Sequence, residues 1–178
     1  MATSSSNKMP LLVDRPLHSF ATLGGAAGLT TSTNFNTPSG GGCVLLVDCL
    51  SNDGAVVDSI SIIATEASTS AVNVLVFLSV AASAAAITAA DTVCVASAAV
   101  TSASAGQRTN ISLPPLSVPV PSLAGPAATT TTFASETDKK NTGLYVPSGA
   151  LLYVGLSAAI TAPSAATRVH VLAQGGFF

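Results

Sequence analysis

Charge is nearly missing from this chain: Asp, Glu, Lys and Arg make up 8% of its 178 residues, against about a quarter in an average soluble domain. Six basic and eight acidic residues leave a net charge of −2. That excludes the basic surface that holding nucleic acid requires, so no nucleic-acid partner is expected. Aromatics are 4% and Trp is absent, with Tyr145 and Tyr153 the only tyrosines. This leaves little material for the aromatic platform of a sugar-binding module. Three cysteines and two histidines, widely scattered, make neither a disulfide framework nor a four-ligand zinc site. No metal, no cofactor and no catalytic residue is expected.

What the chain does have is small side chains. Its 31 Ala, 23 Ser and 20 Thr supply about two-fifths of the residues. Leu, Ile, Val and Phe still total 48, above the roughly one-fifth share below which a chain looks disordered. The chain therefore folds, as one domain by its length.

Between Glu66 and Asp91 run 24 residues without a charge, long enough to cross a bilayer of about 30 Å. The stretch nonetheless carries Ser68, Thr69, Ser70, Asn73, Ser79, Ser83 and Thr88, and it lacks the flanking basic and aromatic anchors of a spanning helix. Its first half, Ala71 to Val80, sets Val72, Val74, Val76, Leu78 and Val80 at a period of two, which reads as a buried strand. Met1 to Lys8 is polar, without an apolar signal core. The expectation is a protein made inside the cell that does not engage a membrane.

Residues 1–16 read as an extended N-terminal arm carrying the apolar patch Met9, Leu11, Leu12 and Val13. Such a segment cannot bury itself, so it is expected to lie against a neighbour or to stay unfolded. Residues 17–178 read as a single β-sandwich domain, with 81–126 an Ala/Pro-rich insertion or edge region. A strand at 17–23 precedes a Gly-rich loop. Cys43–Leu50 is an apolar strand, Asp53-Gly54 a hairpin turn, and Ala55–Thr65 the return strand with Val56, Ile60, Ile62 and Ala64 on one face. With 71–80 these form an antiparallel meander. Residues 81–90 suit a short Ala-rich helix, with a strand extension or loop as the alternative. Strands follow at 92–100, 127–133, 144–146 and 150–156. The Pro-rich 111–121 segment is an edge strand or extended connection, and 136–141 is a charged loop. The closing strand 167–173 points Val169, Val171 and Ala173 inward, and Arg168 and His170 outward. The sum is an all-β, antiparallel β-sandwich or jelly-roll-like domain.

Several residues invite a chemical reading. Cys43 and Cys49 share a face of one strand roughly 20 Å apart and read as buried hydrophobes. Asp48, Asp53 and Asp58 recur across a turn, without ligand spacing. Phe177 and Phe178 hold a third of the Phe content at one end of the chain. They suggest insertion into a neighbouring subunit, with docking in their own domain as the alternative. Small side chains bury little area each, so the fold is expected to complete itself in an obligate oligomer, most simply a homotrimer.

Two stretches carry a resemblance. Pro147-Ser-Gly-Ala-Leu-Leu-Tyr-Val-Gly-Leu-Ser157 and Thr167-Arg-Val-His-Val-Leu-Ala-Gln-Gly-Gly-Phe-Phe178 resemble the ending of small all-β virion proteins of tailed bacteriophages. Val57–Thr65 and Val72–Leu78 are similar to that group's paired central strands. The likeness covers residues 43–80 and 144–178, and departs in the longer arm and the 81–126 insertion. It implies a capsid decoration (cement) protein, located on the virion and bound to itself and to the major capsid protein or another virion structural protein. The arm patch (Met9, Leu11, Leu12, Val13) and Phe177 and Phe178 would be the partner-binding residues. Alternatives are a tail, neck, baseplate or fibre-attachment component, or the jelly-roll coat of a small virus. The lack of a basic arm argues against the coat. The resemblance brings no catalytic residues.

Overall fold

The computed structural model describes residues 14–24, 42–66, 72–83, 86–100, 105–111, 113, 143–157 and 168–178. These form nine strands: β1 (Arg15–Leu23), β2 (Val44–Asp48), β3 (Gly54–Ala64), β4 (Val72–Ser79), β5 (Thr92–Val100), β6 (Arg108–Ile111), β7 (Leu144–Pro147), β8 (Leu151–Leu156) and β9 (Val169–Phe177). The expected all-β architecture is present, and every pairing is antiparallel. The expected strands at 127–133 and along 114–121 lie outside the described residues.

One sheet runs β1-β9-β3-β6, with β7 also on β3; the other runs β2-β8-β4-β5. Consecutive strands mostly switch sheets. The chain pairs as a long ribbon folded at its middle: β4 with β5, β3 with β6 and β7, β2 with β8, and β1 with β9. Wrapped over a core, that ribbon is a jelly roll.

This topology corrects the expected meander. Residues 50–53 bend the chain, and Gly54, the first residue of β3, adopts φ +128° with no room for a side chain, since a Cβ would meet the Val146 carbonyl oxygen at 2.9 Å. The bend nonetheless leads from β2 into the opposite sheet, so 43–50 and 55–65 do not pair. Nor does β3 pair with β4. A tight turn fixes local direction, whereas the burial of both inner faces selects the partner.

Two bulges correct the expected faces. In β3 the register against β9 shifts between Val57 and Ser59, so Asp58 is unpaired and the alternation changes phase. Ile60, Ile62 and Ala64 point inward as expected, but upstream the buried residues are Ala55 and Val57, and Val56 is only half-buried. In β2 the register shifts between Leu45 and Val47. Cys43 and Cys49 therefore do not share a face: Cys49 joins the core between the sheets and Cys43 a second cluster.

The main core lies between the sheets and takes in Leu17, Ile60, Ile62, Val74, Val76, Leu152 and Val171. The second covers the outer side of the β2-β8-β4-β5 sheet, where Leu75, Phe77, Leu151 and Tyr153 are buried with Ala81 and Ile87. Ala81 and Ile87 belong to the segment expected to be a short helix. Its described residues form turns instead, tied by Val80 N to Asp91 O (3.0 Å) and by Thr88 N and Oγ1 to the Asp91 carboxylate, both 2.9 Å. Two apolar contacts and a carboxylate staple override the helix preference of Ala. The buried-strand reading of 71–80 holds at Val74 and Val76, while Val80 is exposed. No helix among the described residues is long and apolar enough to cross a membrane.

Candidate assembly surface

The β1-β9-β3-β6 sheet turns one face to the core; the other carries exposed Phe20, half-buried Leu172 and Ile63, and Ser61, which is buried. Alternation along β1 buries Leu17, Ala21 and Leu23 and leaves His18, Phe20 and Thr22 on the open face. The register aligns these in rows. Phe20 lies opposite Leu172, which faces Ser61, which faces Asn110. Thr22 lies opposite His170, then Ile63 and Arg108, and His18 lies opposite Gln174 and Ser59. The expected inward Val169, Val171 and Ala173 and outward His170 are found here.

Phe20 is 69% exposed, the most exposed large apolar side chain of the described residues. Leu172, opposite it on β9, is half-buried, as is Ile63 in the next row on β3. Around this apolar centre the polar groups are mutually satisfied: Thr22 Oγ1 lies 3.0 Å from His170 Nδ1, and Ser61 Oγ donates to Asn110 Oδ1 at 2.9 Å. Arg108 is the only charged side chain in these rows. The exposed bulge residue Asp58, next to Ser59, adds a second charge on this side, so the face has an exposed aromatic with charge at Arg108 and Asp58.

Phe177 and Phe178 sit in a corner of the same domain. Phe177 packs on the main core, with the Arg15 guanidinium 5.2 Å from its ring centre. Phe178 lies 6.2 Å from the Tyr145 ring, and its N–H donates to Gly54 O at 3.0 Å. Both remain half-buried, so in the single chain they dock at home. The Asp14 N–H donates to Phe177 O at 2.8 Å, and β1 takes in Arg15 and Pro16, which extends the domain two residues into the expected arm. Met9, Leu11, Leu12 and Val13 lie outside the described residues. A polar recess of about 200 Å³ opens in this corner, lined by Asp14, Arg15, Ser51, Asn52, Asp53 and Phe178; Arg15 donates to Asn52 Oδ1 across it.

The acidic and thiol groups form no metal or catalytic cluster among the described residues. Asp48 accepts from the Leu50 N–H at 2.9 Å, and Asp58 is the exposed bulge residue. All three cysteines are free. Burial pushes the Cys43 and Cys49 thiols from the ordinary 9.0 up to about 11, the charge of Asp48 adding to the rise at Cys49, and burial also raises Cys94. Such groups are thiols, not nucleophilic thiolates, at neutral pH. Native protein at pH 7.5 should therefore leave Cys43 and Cys49 unmodified by a thiol reagent that labels all three cysteines in urea; rapid native labelling of either would contradict the burial. Between pH 9 and 11 the unfolded chain gives up protons the folded one keeps. The stability these two thiols contribute is thus full below pH 9 and falls across that window.

Sequence reasoning missed the open face. Its signal was the placement of Phe20 one residue out of phase with Leu17, Ala21 and Leu23. Comparison of the chain with family models, with curated proteins and with solved structures finds no match.

Proposed function

We propose that this chain is a structural protein of a phage particle, a decoration protein seated on the head and held to the major capsid protein by surface contact. The observation that carries the reading is the outer sheet face, where the exposed Phe20 stands opposite Leu172, with Ile63 in the next row and charge at Arg108 and Asp58. The resemblance of residues 43–80 and 144–178 to small virion proteins supports the same role. So does a jelly roll built of small side chains, which gains apolar burial when it packs on a neighbour. An interface of about 1,600 Å² suffices for firm binding. Contact across neighbouring capsomers would brace the shell against the pressure of packaged DNA, with no chemical step.

Protein quantification on purified particles tests this. A decoration protein is present at a copy number comparable to the major capsid protein. Phe20→Asp should lower its occupancy on the head while leaving the fold intact, because Phe20 is 69% exposed and contributes little burial. A handful of copies per particle would move the protein to the tail, neck, baseplate or fibre attachment, and its absence from particles would overturn the reading.

A further inference from the structure

Every open sheet ends in strands with unpaired main-chain groups, and proteins that stay single guard them with charge, proline, shortness or distortion. Three of the four edges in this fold are guarded. β1 begins with Arg15 and Pro16, and Ser19 Oγ closes its flank on Leu46 O of β2 at 2.7 Å. β2 is five residues long, bulged, and ends at Asp48. The fourth edge is shared by β6 and β7, end to end on β3; each is four residues long, β6 beginning with Arg108 and β7 ending at Pro147. The exception is β5.

β5 is nine residues long and pairs with β4 alone. Its sequence, Thr-Val-Cys-Val-Ala-Ser-Ala-Ala-Val, contains neither a charge nor a proline, and no charged residue follows before Arg108. Among the described residues no main-chain hydrogen bond reaches its second edge. The register against β4 shifts between Phe77 and Val76, where Cys94 and Ala96 flank Val95. That bulge falls on the fourth of nine residues and, unlike the one in β2, leaves a regular run of five, Ala96–Val100, beyond it. Ser97 and Ala99 are exposed, as is Val93 at 57%.

We infer that β5 is where two copies of this chain join, pairing antiparallel about a twofold axis to make one continuous eight-stranded sheet. A second copy fits better than a foreign strand for two reasons. The pairing is isologous, so the unpaired groups of one edge meet the same groups of the other in reverse. An uncharged edge also meets itself without like-charge repulsion, and Ala and Ser let the two sheets approach without steric conflict. Centred on Ala98, the register places Ala96 against Val100 and Ser97 against Ala99 of the other copy. This goes beyond the capsid reading, which uses the other sheet: Phe20 and β5 lie in different sheets, so either can fail alone.

Sedimentation velocity of the full chain over a range of concentrations reads the pairing directly. The wild type should show a reversible dimer. The double variant Ser97→Lys, Ala99→Lys places Lys against Lys twice across the axis and should weaken dimerisation by about tenfold or more. The variant Ser97→Lys, Ala99→Glu places each Lys against a Glu of the other copy and should restore it. Both variants should keep the wild-type circular dichroism, as the two positions are exposed, and the melting temperature should depend on protein concentration for the wild type but less so for the double Lys variant. Phe20→Lys should leave the dimer unchanged. A wild type that is monomeric throughout, a trimer, a dimer insensitive to the double Lys variant, or one broken by Phe20→Lys would each overturn the assignment.

Discussion

Gly175→Ala should abolish stable folding, or cost more than about 4 kcal/mol where the protein can still be isolated. A Cβ at position 175 would lie 1.9 Å from the Val56 carbonyl oxygen, 2.9 Å from the Val56 carbonyl carbon and 3.0 Å from the Val57 Cα. These are main-chain atoms of β3, so no rotamer change relieves the overlap. β9 also cannot shift away, since it is bonded to β1 on one side, where Gly175 faces Leu17, and to β3 on the other. The bulge at Asp58 lies beside this contact, and the close approach is built around a residue without a side chain. Gly149→Ala makes the comparison. Gly149 takes φ +79° with nothing within 4 Å of the added carbon, so only left-handed strain opposes it, at about 1 kcal/mol. Urea unfolding measures both. Equal midpoints for Gly175→Ala and wild type would show that the strands do not meet as described.

Much of this fold is written locally, and the parts that are not have a common cause. Period-two alternation marks the inward side of β9 through Val169, Val171 and Ala173 and finds the buried Val74 and Val76. Gly54 marks its bend because the backbone there demands φ +128°. Partner choice is not local. β1 pairs with β9 across nearly the whole chain, and no window of sequence contains both strands. The bulges at Asp58 and Leu46 are equally hidden: each makes its strand change faces partway along, which is how Val56 and Cys43 come to lie elsewhere than alternation places them. The open face with Phe20 was legible residue by residue but not as a surface, because Leu172 and Ile63 reach it only through the register. The unguarded edge of β5 has the same character. An uncharged run of nine residues is visible in the sequence, yet that it ends a sheet depends on the wrapping of the ribbon.

Phe77→Ala should destabilise the protein by about 3–5 kcal/mol, a loss that separates a sheet buried on both sides from one buried on a single side. Alternation along 71–80 assigns Val74 and Val76 to the core and leaves Phe77 on the opposite face, where a one-sided sheet would expose it and its loss would cost no more than about 0.5 kcal/mol. In the structure Phe77 is fully buried, with Tyr153 opposite it on β8 and Cys94 opposite it on β5. Ala81 and Ile87 complete the cluster from the loop between β4 and β5. The same two-sided burial explains why β8 reads Leu-Leu-Tyr-Val-Gly-Leu without one polar residue, since all six positions are buried. Phe20→Ala supplies the contrast: an aromatic on the open face, whose removal should change the unfolding midpoint little. If the two substitutions cost the same, the outer face of the β2-β8-β4-β5 sheet is not a second core, and the stability of this chain rests on the space between its sheets alone.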